Sequence, residues 1–285
     1  MRATVSGDPL ITTIIDLDEA LGGDARLLLA GGLGLFLKQQ HLQASGARAL
    51  LPIDRWPTAR TTQDIDLMLR AEVVASAAAM ARHRAALDRL GFVVDDAAKW
   101  MKFTREVAGR RVVIDLMVGP LGSFAGQVER DSVRVRPAKS SGLHARAADD
   151  ALGIEASPLP HRITDAGRSC EVLLPQAFPF ALMKLGALRD RLNDANKDEG
   201  RHHALDLYRI VAMLTATEDA HAARMAAQHA GDAVLVTAIT TAHELFTAPA
   251  GLGRLRLMEH PLCPRDVDLD WFARELARLL SAERR

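Results

Sequence analysis

The chain has 285 residues, is 48% hydrophobic, and carries 36 Lys and Arg against 36 Asp and Glu. That length and apolar content suffice for one large or two ordinary domains, and zero net charge excludes a protein that coats nucleic acid indiscriminately, since such binding works by neutralising phosphates. No apolar run reaches the roughly 18 residues of a membrane span, Met1 to Asp8 lacks the apolar stretch of a signal peptide, and Cys170 and Cys263 are too few for a disulfide framework or a Cys-rich zinc site. A cytoplasmic protein with ordinary buried thiols and no membrane partner is expected.

A helix is predicted around residues 16–22. Leu27-Leu28-Leu29 then reads as a short apolar strand that breaks at Gly31-Gly32 and resumes with helical spacing. Glycines at such a junction let a phosphate approach backbone N–H groups at a helix start; they equally make a tight turn without a ligand, and no Walker-type Gly-Lys-Ser/Thr follows. In Arg60-Thr61-Thr62-Gln63-Asp64-Ile65-Asp66-Leu67 two acids alternate in a strand pattern, so both point to one face, roughly 7 Å apart. Like charges this close repel, and a divalent cation bound by carboxylate oxygens relieves them; the alternative is a solvated turn or strand edge.

An alanine-rich helix is predicted from about 72 to 90. A hairpin follows, pairing Trp100 to Thr104 with Arg111 to Val118 across a turn at Ala108-Gly109. Asp115 is the lone acid of an apolar strand, where a charge costs several kcal/mol unless it ligates a metal or pairs with a cation such as Arg105, Arg110 or Arg111. In Ser132-Val133-Arg134-Val135-Arg136 the arginines alternate, which puts both guanidiniums on one face of a strand. With Arg130, Lys139, His144 and Arg146 they form either an RNA-binding patch or a solvated strand face. Residues 137–168 read as loop with short strands, and 171–174 as a strand. From 176 to 247 and from 265 to 284 Ala, Leu, Arg and Glu dominate, as in a helical bundle. Lys184 lies among Leu182, Met183 and Leu185, and Asp206 between Leu205 and Leu207. A second cationic cluster holds Lys184, Arg189, Arg191, Lys197 and Arg201, while His202 and His203 read as structural. The fold class is therefore α+β: a small mixed sheet with helices over residues 1–170, then a mainly α-helical domain over 171–285.

Gly31-Gly32 at the mouth of a helix, then Arg60-x-Thr62-x-Asp64-x-Asp66, then the lone Asp115, is an ordered set that resembles the DNA-polymerase-β-like nucleotidyltransferase superfamily. Within it the chain is similar to the AbiEii/MenT group of nucleotidyltransferase toxins, and the likeness spans about residues 26 to 210, ending in the helices of Lys184 and Asp206. Gly31-Gly32 departs from the Gly-Ser common in the superfamily, which leaves phosphate contacts there to the backbone. The resemblance implies that Asp64, Asp66 and Asp115 hold Mg²⁺ or Mn²⁺, that Gly31, Gly32, Arg60, Thr62 and Lys184 bind a nucleoside triphosphate, and that Lys184 and Asp206 complete the active site from the helical domain. It also implies a toxin of a toxin–antitoxin pair, moving nucleotides from NTP to the 3′ end of tRNA and blocking aminoacylation, with a cognate antitoxin encoded nearby. Two other functions fit the same residues: nucleotidylation of a small molecule such as an aminoglycoside or of a protein side chain, and a non-catalytic nucleotide- or RNA-binding module.

Overall fold

Proline at the first helical position and an aspartate before it start the first element. The Asp8 carboxylate accepts the Leu10 amide, and helix α1 runs Pro9–Leu21 until Gly22, at φ 121°, ends it. It begins seven residues earlier than the apolar spacing alone indicates, because this cap lies outside the periodic stretch. The computed structural model describes residues 7–59, 62–139, 142–194 and 196–283, with the side chains of Lys197 and Glu199 excepted. Of it, 49% is helical and 19% strand, a mixed α/β composition.

The chain divides into two compact units. The first comprises residues 1–38, 61–149 and 157–175. After α1 come β1 (Leu28–Leu29) and α2 (Gly31–Ser45, whose residues up to Lys38 belong here). They are followed by β2 (Asp64–Leu69), α3 (Ala71–Ala75), α4 (Ala77–Arg89), β3 (Val93–Val94), β4 (Lys102–Val107) and β5 (Arg110–Val118). The remaining strands are β6 (Val128–Arg130), β7 (Arg134–Pro137), β8 (Ala145–Ala147), β9 (Leu159–Asp165) and β10 (Arg168–Leu174). The predicted alanine-rich helix is two, since Ser76 leaves helical geometry and caps α4 by accepting the Ala79 amide.

All ten strands join one mixed sheet, larger than the small one expected, with the path β6-β7-β8-β5-β2-β1-β10-β9 and β3-β4 attached along β5. β2 and β5 run parallel side by side. One face of the sheet buries Ile65, Leu67, Leu69, Ile114, Leu116, Val118, Val135 and Ala145 in a shared core with Ile11, Ile14 and Ile15 of α1. Fully burying a Val, Leu or Ile side chain of this set contributes about 1.5–3 kcal/mol.

The second unit comprises residues 39–60, 150–156 and 176–285. It holds α5 (Ala177–Arg191), α6 (Lys197–Ala212), α7 (Ala216–Gln228), α8 (Ala233–Ala242), α9 (Leu252–Met258) and α10 (Leu269–Leu279). Phe246 meets Phe272 edge-on at 5.1 Å, and Tyr208 meets Phe272 at 5.4 Å. Segments of the two units alternate along the chain, residues 39–60 and 150–156 falling with the helices. The Leu50 and Leu51 amides donate to the Leu214 and Ala212 carbonyls, tying residues 39–60 to the helices, while β10 pairs within the sheet and carries the first unit on to Pro175. Among the described residues, no helix is long and apolar enough to cross a membrane.

Candidate active site

In the parallel pair β2–β5, Asp64 lies opposite Val113 and Asp66 opposite Asp115. Residues opposed across a ladder share a face, and Ile65, Leu67, Ile114 and Leu116 occupy the core face, so Asp64, Asp66 and Asp115 all project from the other one. Asp64 is exposed; Asp66 and Asp115 are half-buried.

Gly31 opens α2 beside them. The Ala30 amide donates to the Asp66 carbonyl at 2.9 Å, and a Cβ at position 31 would stand 1.6 Å from Asp66 Oδ2. Gly31 also sits at φ +61°, which L-residues rarely adopt. Glycine is therefore required for the backbone to pass this close to the carboxylate. Gly32 follows, buried in the first turn of the helix. Thr62 accepts the Asp64 amide at 3.4 Å, a local turn that starts the acid strand. Arg60, expected to bind nucleotide, lies outside the described residues.

Asp115 finds its cations on neighbouring strands instead of on its own. Lys102 Nζ of β4 is 3.6 Å from Oδ2, and Arg146 Nε of β8 is 3.6 Å from Oδ1. Two of the arginines nearer in sequence are engaged elsewhere: Arg105 reaches Asp16 and the Leu90 carbonyl, and Arg111 reaches Asp95. Both ion pairs of Asp115 exceed hydrogen-bond length, and among the described residues its buried Oδ1 has no hydrogen-bond partner. Among the described residues, no group of three or more His, Cys, Asp or Glu stands arranged to hold a metal as it is. The fit of the acids to a divalent cation rests on their common face, on all-carboxylate donors, which suit a hard ion, and on the unfilled Asp115 oxygen.

The predicted arginine strand exists, with Val135 buried and Arg134 and Arg136 opposite to it. A cavity of about 350 Å³ opens there, lined by Glu129, Arg130, Asp131, Arg134, Arg136 and His144. Acids moderate the patch, since Arg130 pairs with Asp149 and Arg136 with Glu129. Burial first, then the nearby Arg136 and Arg134, push the His144 imidazole below its usual range and favour its neutral form.

In the second unit, Lys184 Nζ donates to Asp206 Oδ2 at 2.7 Å. Asp206 is fully buried and Lys184 is 5% exposed. Arg209, one turn on in α6, donates to Asp206 Oδ1 at 3.1 Å and to Gln39 Oε1 at 2.8 Å. Lys184 is thus not a surface lysine. Arg189, Arg191 and Arg201, its companions in the second cationic cluster, pair at the surface with Asp190, Asp194 and Asp198. His202 contacts His260. Sequence reasoning missed Lys102, Arg146 and Arg209 at these centres. The one local signal was for Arg209, a charge held between Tyr208 and Ile210 in an apolar helix.

No protein-family model, no curated protein and no solved structure matches this chain.

Proposed function

We propose that the protein is a metal-dependent nucleotidyltransferase that adds nucleotides from NTP to the 3′ end of an RNA, tRNA being the acceptor that the family resemblance favours. The observation that carries the reading is the register of β2 on β5, which sets Asp66 opposite Asp115 with Gly31 pressed against Asp66. Three acids on one face beside a glycine helix start are what a nucleotidyl-transfer centre requires.

In the reaction the acceptor hydroxyl oxygen bonds to the α-phosphorus, the bond from that phosphorus to the bridging oxygen breaks, and pyrophosphate leaves with the electron pair. We assign the hydroxyl proton to the Asp115 carboxylate, the third acid of that face. Asp64 and Asp66 would hold Mg²⁺ or Mn²⁺, with Asp115 as the third ligand; when bound, the ion offsets charge on the attacking and leaving oxygens. Gly31 and Gly32 offer backbone rather than hydroxyl contacts to phosphate. We assign Lys184 to the triphosphate as a compact point charge, Asp206 to positioning it, and a cognate antitoxin to restraining the activity.

The test is transfer of labelled nucleotide to purified tRNA, with each NTP in turn, by wild type and by Asp64→Asn and Asp66→Asn proteins. Expected is Mg²⁺-dependent 3′ extension that both variants lose while melting within a few degrees of wild type, since removing repelling charge rarely destabilises a fold. Undiminished extension by Asp64→Asn would remove the central claim. Modification of an aminoglycoside in place of tRNA would move the activity to a small acceptor.

A further inference from the structure

Lys102 and Arg146 approach Asp115 from the same edge of β5, one near each carboxylate oxygen, without gripping it. Each is 3.6 Å away and about a third exposed, so their positive charge is available at the acid centre. The sheet register extends this arrangement. Lys102 lies opposite Asp115 in β4, and Arg146 lies opposite Met117 in β5 and opposite Arg134 in β7. Ala145 and Val135 enter the same core as Ile114, so Arg146, Arg134 and Arg136 project from the face that bears the three acids. On one surface, then, acids occupy β2 and β5, and the cations lie beyond the edge of β5 away from β2, on β4, β8 and β7. Adjacent strands lie about 4.8 Å apart and residues rise about 3.3 Å along a strand, which places the Arg134 backbone about 10 Å from that of Met117 and about 12 Å from that of Asp115.

We propose that Lys102 and Arg146 receive the phosphate adjoining the reacting hydroxyl of the acceptor, and so select phosphate-bearing acceptors, a polynucleotide end above all, over cationic ones. The selection rests on the nucleotidyltransferase reading above. An incoming phosphate gives the two cations a partner they can approach more closely than Asp115, with charge-assisted hydrogen bonds, and leaves the Asp115 carboxylate to the hydroxyl. A planar guanidinium grips two phosphate oxygens, and the ammonium adds a point charge. Arg134 and Arg136 continue the row for a second phosphate, which a polynucleotide has and a phosphorylated sugar lacks. A polycationic aminoglycoside would meet four like charges on the same face.

The experiment measures binding to the full chain, without NTP, of a single-stranded RNA trinucleotide with a free 3′ hydroxyl, of glucose 6-phosphate and of an aminoglycoside. The trinucleotide should bind most tightly, weakening about tenfold in Lys102→Gln and in Arg146→Gln, each a loss of one charge-assisted contact. In turnover both variants should raise KM for the acceptor with KM for NTP unchanged, a split that general loss of structure does not produce. Equal losses for trinucleotide and sugar phosphate would also support phosphate selection, with the small acceptor as its source. Unchanged trinucleotide affinity in both variants, or tighter binding of the aminoglycoside, would overturn it. Mg²⁺–NTP binding, measured on the same preparations and on Asp64→Asn, separates the claims. If NTP fails to bind, the enzymatic reading falls; if NTP binds and Asp64→Asn weakens it while Lys102→Gln and Arg146→Gln leave RNA affinity intact, only the phosphate clamp falls.

Discussion

A methyl group at position 31 would stand 1.6 Å from Asp66 Oδ2 and 2.5 Å from its Cγ, distances no side chain tolerates. Accommodating it means moving either the helix start or the carboxylate. Gly31→Ala should therefore cost about 1–3 kcal/mol from left-handed strain and overpacking together, and also weaken Mn²⁺ binding by displacing Asp66. Gly23 supplies the control. It has φ +86° with nothing within 4 Å of its hypothetical Cβ, so Gly23→Ala carries the backbone strain alone. Denaturant midpoints and Mn²⁺ titrations of the two variants should differ in the direction of greater loss at position 31. Equal losses, with Mn²⁺ affinity intact in both, would mean that Asp66 relaxes freely and that the close approach has no part in the site.

At the scale of elements, α5 and α6 are joined by ions as well as by apolar packing. Asp206 is fully buried and receives Lys184 from α5 and Arg209 from its own helix. Asp206→Asn removes the carboxylate both cations share and should destabilise the protein by about 3–5 kcal/mol, as breaking a buried ion pair generally does. Lys184→Met keeps the aliphatic stem and leaves Asp206 with Arg209, so its thermal midpoint should fall less, although the role proposed for Lys184 requires it to lose triphosphate affinity. A stable Asp206→Asn protein would show that Asp206 is not what holds Lys184 in place. Elements of this kind were legible in the sequence because their signals are local. The alternation of Asp64 and Asp66 with Ile65 and Leu67, the hairpin turn at Ala108-Gly109 and the apolar surround of Lys184 each reveal a face or a helix. What stayed hidden depends on partners distant in the chain. Asp115 offered three arginines within ten residues, whereas sheet order gave it Lys102 and Arg146, and Arg146 arrives through β8, a three-residue strand inside a stretch that reads mainly as loop. The β9–β10 hairpin was half visible, since polar residues alternate irregularly along Leu159–Asp165. The interleaving of residues 39–60 and 150–156 with the helices leaves no periodic trace at all.

For the molecule as a whole, charge is balanced in number but not in place. With 36 cationic and 36 anionic side chains, the net charge is zero and long-range attraction of a polyanion is weak. The RNA binding proposed above draws on the few cations gathered on the acid-bearing face, and the number of phosphates engaged is readable from salt. For single strands log K falls by about 0.7 per phosphate neutralised for each unit of log salt, so two phosphates, one held by Lys102 and Arg146 and one by Arg134 and Arg136, predict a slope of about −1.4. Replacing Arg134 and Arg136 together with Gln should reduce it to about −0.7 and weaken binding more at low salt than at high. Arg136 begins paired with Glu129, which an incoming phosphate must displace, so a somewhat shallower starting slope is expected than an unpaired Arg136 would give. Fluorescence anisotropy of a labelled single-stranded RNA across a salt series measures both quantities. A slope unmoved by the double replacement would place the RNA elsewhere on the protein, and a slope near zero in wild type would leave a small or uncharged acceptor as the substrate of this centre.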